Sequence, residues 1–254
     1  MAPLRGGPTV WDSPEVRVLT WNLEWARPSG VRSARAQRQI DALDPDVMAL
    51  TEVHLAALPD DANTIWADAD YGYGGPPERR KVGLWSRWGW TDTDAAGAAG
   101  MPGGRLVAGT TPTPHGPVRV IGVCIPWHMA HVTSGRKDRS PWEDHLAYLA
   151  GLAAIIDADN PEHLLVMGDF NQRLTGRTAP ERVHQALLAA LGDLTVATAD
   201  TPAGLDHPPI DHVAHTSGLA VTSVIGISRQ ADNGAPISDH DGVAVDLVAV
   251  DPTP

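Results

Sequence analysis

Five short polar groups in this sequence carry residues able to hold a hard cation and to move a proton. They are Thr20-Trp21-Asn22, Thr51-Glu52, Gly168-Asp169-Phe170-Asn171, Ile210-Asp211 and Ser238-Asp239-His240. Carboxylate and amide oxygens are the donors that Mg²⁺ prefers. An aspartate or histidine beside them can orient a water and take its proton. Asp169 and Asn171 stand two apart, so an extended backbone turns both to one side. Taken singly, each group also reads as an ordinary turn or a solvated strand end, because Asn and Asp are turn formers. The information lies in all five occurring in order, each beside an apolar run.

Those apolar, β-rich runs cover 16–23, 47–53, 82–85, 118–125, 163–167, 210–214, 219–227 and 242–250. Between some of them the period changes to that of a helix. The stretch 31–43 is closed by Pro45. Residues 142–158 gather Leu146, Leu149, Leu152, Ile155 and Ile156 on one face behind Pro141. Residues 180–191 repeat the pattern through Val183, Leu187, Leu188 and Leu191. Strands alternating with helices twice over give an α/β class, with chemistry expected at the strand ends. The segments 1–15 and 251–254 read as Pro- and Gly-rich tails around a single domain over 16–250, and 94–104 reads as a mobile surface loop.

The bulk properties narrow the function. A chain of 254 residues with 43% hydrophobic content can bury a substantial core. Its net charge of −12 argues against tight, non-specific grip on nucleic acid, but not against catalysis on phosphates. Cys124 is the single cysteine, which excludes an internal disulfide and fits a reducing, cytoplasmic setting. Neither a signal-like h-region nor an apolar stretch long enough to span a membrane is visible.

Over roughly residues 16–248 the five motifs resemble the endonuclease/exonuclease/phosphatase superfamily, whose deoxyribonuclease I-like members share one order of site motifs. The resemblance implies a four-layer α-β-β-α sandwich of two packed mixed sheets. It also implies a Mg²⁺-dependent hydrolase, with Mn²⁺ as a substitute, acting on phosphoester bonds. Glu52 is then the direct carboxylate ligand, with Asn22 and Asp239 completing the metal environment directly or through water. Asp169 orients and deprotonates the attacking water, and Asn171 fixes Asp169. His240 contacts a non-bridging oxygen or transfers a proton, with Asp211 as its partner. Relatives often carry a His or Tyr near the end of the strand at 118–125. His128 is the candidate for that place, and Cys124 is the alternative. The acidic partner that deoxyribonuclease-like members place after the strand at 82–85 is replaced here by Ser86-Arg87. The pairs His128/His131 and His212/His215 offer only a weak zinc signal, since no cysteine cluster accompanies them.

The substrate is less defined. Arg79, Arg80 and Lys81 form the compact basic cluster, joined by Arg105 and the group Arg136-Lys137-Asp138-Arg139. They read either as solvated loop residues or as a phosphate-contacting rim. Nine Trp stand against one Phe and three Tyr, and Trp88 and Trp127 are the surface candidates for stacking on bases. The leading expectation is a monomeric nuclease with nucleic acid as substrate. The alternatives are a phosphatase or phosphodiesterase for a small metabolite or lipid head group, and a non-catalytic binding module.

Overall fold

In the computed structural model, residues 15–159, 161–176 and 178–250 are described. The terminal segments 1–14 and 251–254 therefore lie outside the described residues. In chain order the elements are β1 (Val16–Asn22), α1 (Val31–Leu43), β2 (Val47–His54), β3 (Thr64–Trp66), β4 (Arg79–Ser86), β5 (Thr91–Asp94), β6 (Leu106–Thr113) and β7 (Gly116–Cys124). They continue with α2 (Glu143–Asp159), β8 (Leu164–Asp169), α3 (Glu181–Leu191), β9 (Thr195–Val196), β10 (Asp211–His215), β11 (Leu219–Ile227) and β12 (Gly242–Ala249).

The strands form two six-stranded mixed sheets, ordered β11-β12-β1-β2-β4-β3 and β5-β6-β7-β8-β10-β9. Val18, Val47, Ala49, Val82 and Leu84 of the first sheet meet Val107, Val120, Leu165, Met167 and Val213 of the second in one apolar layer. The opposite faces are apolar as well. Leu19, Trp21, Met48 and Leu50 pack under Ala36 and Ile40 of α1. Ile121, Val123, Leu164 and Val166 pack under Leu149, Leu152 and Leu187 of α2 and α3. Burial on both faces explains why these strands read as continuous apolar runs rather than alternating ones. The result is the expected four-layer α-β-β-α sandwich.

The helix boundaries follow local chemistry. α1 stops at Asp44, which adopts a left-handed φ of 45° ahead of Pro45. Before α2, the Glu143 carboxylate accepts from Ser140 N at 2.9 Å, tying the start of the helix to the segment that leads into it. Among the described residues no helix is long and apolar enough to cross a membrane.

Pairing register carries the site residues to one edge of the sandwich. β1 and β2 run parallel with Asn22 opposite Thr51. β7 and β8 run parallel with Cys124 opposite Asp169, and antiparallel β10 sets Asp211 opposite Asp169. The site-facing ends are thus C-terminal in β1, β2, β7 and β8, and N-terminal in β10 and β12. Gly168 makes the close spacing possible: its φ is 143°, and a Cβ there would stand 1.9 Å from Val123 O. Only glycine fits such a position.

Candidate active site

At this edge lies a cleft of about 470 Å³, whose lining includes Asn22, Glu52, Asp169, Asn171, Asp239 and His240. Asp169 is 1% exposed and held from three sides. Its Oδ1 accepts from Asn171 N at 2.8 Å, and its Oδ2 accepts from Asn22 Nδ2 at 3.0 Å and Asn171 Nδ2 at 2.9 Å. Asn171 reaches this geometry through a left-handed φ of 53° and also donates to Ile125 O at 2.9 Å. Glu52 has φ 49°, an uncommon conformation for a non-glycine residue and one that clusters at functional sites.

His240 is fixed by its other ring nitrogen. Nδ1 lies 2.6 Å from Asp211 Oδ2, and the Asp211 side chain is fully buried. The loop carrying His240 is tied to β1: Ser238 Oγ donates to Asn22 O at 2.6 Å and accepts from His240 N at 3.2 Å. Trp21 Nε1 donates to His240 O at 2.8 Å. Burial pushes Asp169 up to about 7, against the pull of the His240 charge. Burial also raises Asp211. Burial works against a charge on His240, but Asp169 and Asp211 outweigh it and raise the imidazole to about 10. A carboxyl shifted toward neutrality beside a charged imidazole is the arrangement expected of acid–base chemistry.

Asp169, Asp211 and His240 each bring one potential ligand atom within 4.8 Å of the others, a group that could hold a metal ion. Nδ1 of His240 is occupied by Asp211, so its Nε2 is the atom left for other work. The remaining donors are hard oxygens. Asp239 is 62% exposed, with Oδ1 3.9 Å from His240 Nε2. Glu52 Oε1 receives the Lys81 ammonium at 2.5 Å, so this carboxylate already faces a positive charge in the cleft. Such a donor set fits a hard divalent cation rather than a thiophilic metal.

Two expectations about neighbouring positions change. His128 does not line the cleft: it is exposed and packs between Trp127 and Trp142, at 5.2 and 5.4 Å. Its place is taken by Cys124, opposite Asp169, with Sγ 3.9 Å from Asp169 Oδ2. Burial pushes that thiol up to about 12, so it stays protonated and acts as a weak donor. Ser86-Arg87 stands at the far end of β4. Ser86 Oγ bonds Thr111 Oγ1 there, and Arg87 pairs with Asp44 and Asp46. The cleft end of β4 carries Arg79 and Lys81 instead.

Of the other basic candidates, Arg105 lines the cleft, whereas Arg80 bonds the carbonyls of Pro77 and Arg79. Arg136 and Arg139 are paired with Asp138, Glu143 and Asp144. Trp127 lines the cleft, but Trp88 packs against the inter-sheet core. The histidine pairs form no metal cluster among the described residues.

The support behind Asn171 has no local signature in the sequence. His145 Nδ1 bonds Pro126 O at 2.7 Å, and its Nε2 meets Gln172 Nε2 at 2.8 Å. His212 Nε2 bonds Gln172 O at 2.9 Å, and its Nδ1 meets Thr198 Oγ1 at 3.0 Å. Each imidazole thus donates to a carbonyl and accepts on its second nitrogen, which requires the neutral form. Burial lowers both to about 4, well below 6.5. As pH falls below 6.5 the unfolded chain binds these two protons and the folded chain does not, so both histidines destabilise the fold on acidification. Asp169, raised to about 7, opposes them with one proton. Burial raises Asp211 in the same sense, so the two carboxyls offset part of the loss, and metal-free protein should become less stable as pH falls from 6.5 toward 4. Urea unfolding at several pH values checks this, and stability that stayed level or rose over that window would contradict it.

The family model described as the Endonuclease/Exonuclease/phosphatase family matches residues 19–240. A comparison with curated proteins finds no match. Among solved structures, the human Nocturnin catalytic domain with bound sulfate superposes with a TM-score of 0.68 at 18% identity, covering 93% of this chain and 94% of that one. The 3' phosphatase NExo from Neisseria, bound to product DNA hairpin, gives 0.64 at 19% identity over 92% and 99%. An endonuclease/exonuclease/phosphatase from Beutenbergia cavernae gives 0.62 at 19% identity over 92% and 72%. At these identities the structural likeness speaks for the fold.

Proposed function

The chain belongs to the endonuclease/exonuclease/phosphatase family, and from that premise we propose that it is a Mg²⁺-dependent nuclease hydrolysing phosphodiester bonds. The observation that carries this reading is the convergence of Asp169, its two asparagine donors and the Asp211–His240 pair in a cleft that also holds Arg79, Lys81 and Arg105. Glu52 would be the direct ligand for the cation, and Asn22 and Asp239 would complete its environment directly or through water. A bound Mg²⁺ would draw negative charge off the phosphoryl oxygens, and Mn²⁺ would substitute for it.

The chain's own residues do the rest. Asp169 orients a water for in-line attack and takes its proton at a carboxylate oxygen. Asn171 and Asn22 fix that carboxylate by donating to it. His240 holds its proton on Nδ1 toward Asp211 and directs Nε2 to a non-bridging oxygen. Arg105 and Lys81 bring positive charge to the phosphate in a protein of net charge −12. We further propose a single catalytic domain over 16–250, acting as a monomer in the cytoplasm, where the lone buried Cys124 stays reduced.

Nucleic acid as substrate is supported by the basic side of the cleft, and it is in keeping with the DNA hairpin of the Neisseria structure. A second reading, a small phosphoester, is favoured by the size of the cleft, about 470 Å³, which suits a small ligand. Assays on single strands, supercoiled plasmid, RNA and small phosphoesters at two salt concentrations separate the two. The nuclease reading expects nucleic-acid cleavage whose KM rises steeply with salt. Salt-independent hydrolysis confined to small esters would overturn it in favour of the second reading.

A further inference from the structure

Trp127 is the one aromatic residue among those described whose side chain is left exposed, at 43%. A single exposed apolar side chain is ordinary in itself. Its location is not: Trp127 lines the same cleft as Asp169, Asn171 and His240. The backbone leading to it is pinned, since Ile125 O accepts from Asn171 Nδ2 and Pro126 O accepts from His145 Nδ1. The ring is therefore presented from a fixed segment rather than a free loop.

The other cleft aromatics are already stacked. Trp25 stacks on Tyr71 at 5.8 Å, Tyr71 on Tyr73 at 6.3 Å, and Tyr73 on His131 at 4.2 Å. Arg79 and Lys81 lie over Trp25 at 4.9 and 5.2 Å. Among the described residues the one ring contact of Trp127 is with His128, edge-on at 79°, and no ring or cation stacks on its face. The cleft also holds Arg105, which is 3% exposed and has no carboxylate within ion-pairing distance among the described residues. Its polar contact is a long one, 3.5 Å to Cys124 O. A guanidinium that lies over Tyr73 at 6.0 Å but has no carboxylate partner, and an unstacked indole in the same cleft, match the two halves of a nucleotide, phosphate and base.

We propose that Trp127 is a base-stacking residue that directs the enzyme to single-stranded nucleic acid or an unpaired end. The inference rests on the nuclease reading above and adds the state of the base. A base inside a duplex has both faces covered by its neighbours, so it must leave the helix before it can lie on the indole.

The test compares two esters that differ only in the base: thymidine 5′-(4-nitrophenyl phosphate) and its analogue carrying a base-free sugar. Both are assayed with the unaltered protein, Trp127→Ala and Trp127→Phe. Trp127→Ala should lower kcat/KM on the base-bearing ester by about 5- to 100-fold. That factor should exceed the one on the base-free ester at least ~5-fold, the low end of the same range. Trp127→Phe, which keeps a flat ring, should recover most of the loss. Equal factors on the two esters, or a Phe variant as poor as Ala, would overturn the inference and leave the nuclease reading standing. Failure of the unaltered protein to cleave either ester or any nucleic acid would overturn both.

Discussion

Asn in place of Asp169 is expected to lower kcat by about 10²- to 10⁴-fold, the range that a positioned general base contributes. The change keeps the shape of the side chain and removes the group that takes the proton from water. It also turns an amide toward the Nδ2 donors of Asn22 and Asn171, so some local adjustment follows. The fold should survive, because the carboxylate it replaces is buried and already raised to about 7. Circular dichroism and thermal unfolding show whether it has, and near-normal turnover by the folded variant would remove Asp169 from the chemistry. The same reasoning sets the pH profile. Asp169 must be ionised to accept a proton, so kcat should fall as pH drops through the folded-state value. A bound cation favours the ionised form and moves that limb to about 7 or below.

The second large effect is expected from Asp211→Asn, with kcat again falling about 10²- to 10⁴-fold. The Asp211 carboxylate is fully buried and lies 2.6 Å from His240 Nδ1. It holds the proton on that nitrogen and supports a positive imidazolium. An amide either donates to Nδ1 and imposes the wrong tautomer, or accepts from it without a charge to match. In both cases Nε2 faces the cleft with weaker attraction for a phosphoryl oxygen. Steady-state kinetics should show the loss mainly in kcat, since the contact strengthens as charge develops. A variant that loses affinity but keeps kcat would place His240 in ground-state binding instead.

Much of this arrangement was legible in the sequence, for a physical reason. β1, β2, β8 and β12 are buried on both faces, so they read as unbroken apolar runs, and the polar residues beside them marked the cleft edge. The end of α1 is legible because Pro45 stops it. β6 is not legible, since its sequence, Leu-Val-Ala-Gly-Thr-Thr-Pro-Thr, mixes strand formers with Gly and Pro. Only the apolar part of β4, 82–85, has the pattern of a strand, yet its charged start carries Arg79 and Lys81 into the cleft.

What stayed hidden depends on pairing across the chain. Whether Cys124 or His128 faces the site is decided by the β7–β8 register, which local composition does not encode. Lys81 meets Glu52 through the β2–β4 register. Gln172 is clamped between His145 and His212, 27 and 40 residues away in sequence. No local pattern announces such a contact.

The most direct test of the account is a set of rates on one phosphodiester. The unaltered protein and Asp169→Asn are each assayed in Mg²⁺ and in excess chelator, with Mg²⁺ then restored. Metal-dependent hydrolysis centred on Asp169 predicts one fast rate, for the unaltered protein in Mg²⁺, which chelator abolishes and added Mg²⁺ recovers. Hydrolysis that persists in chelator, or that Asp169→Asn retains in full, would contradict it.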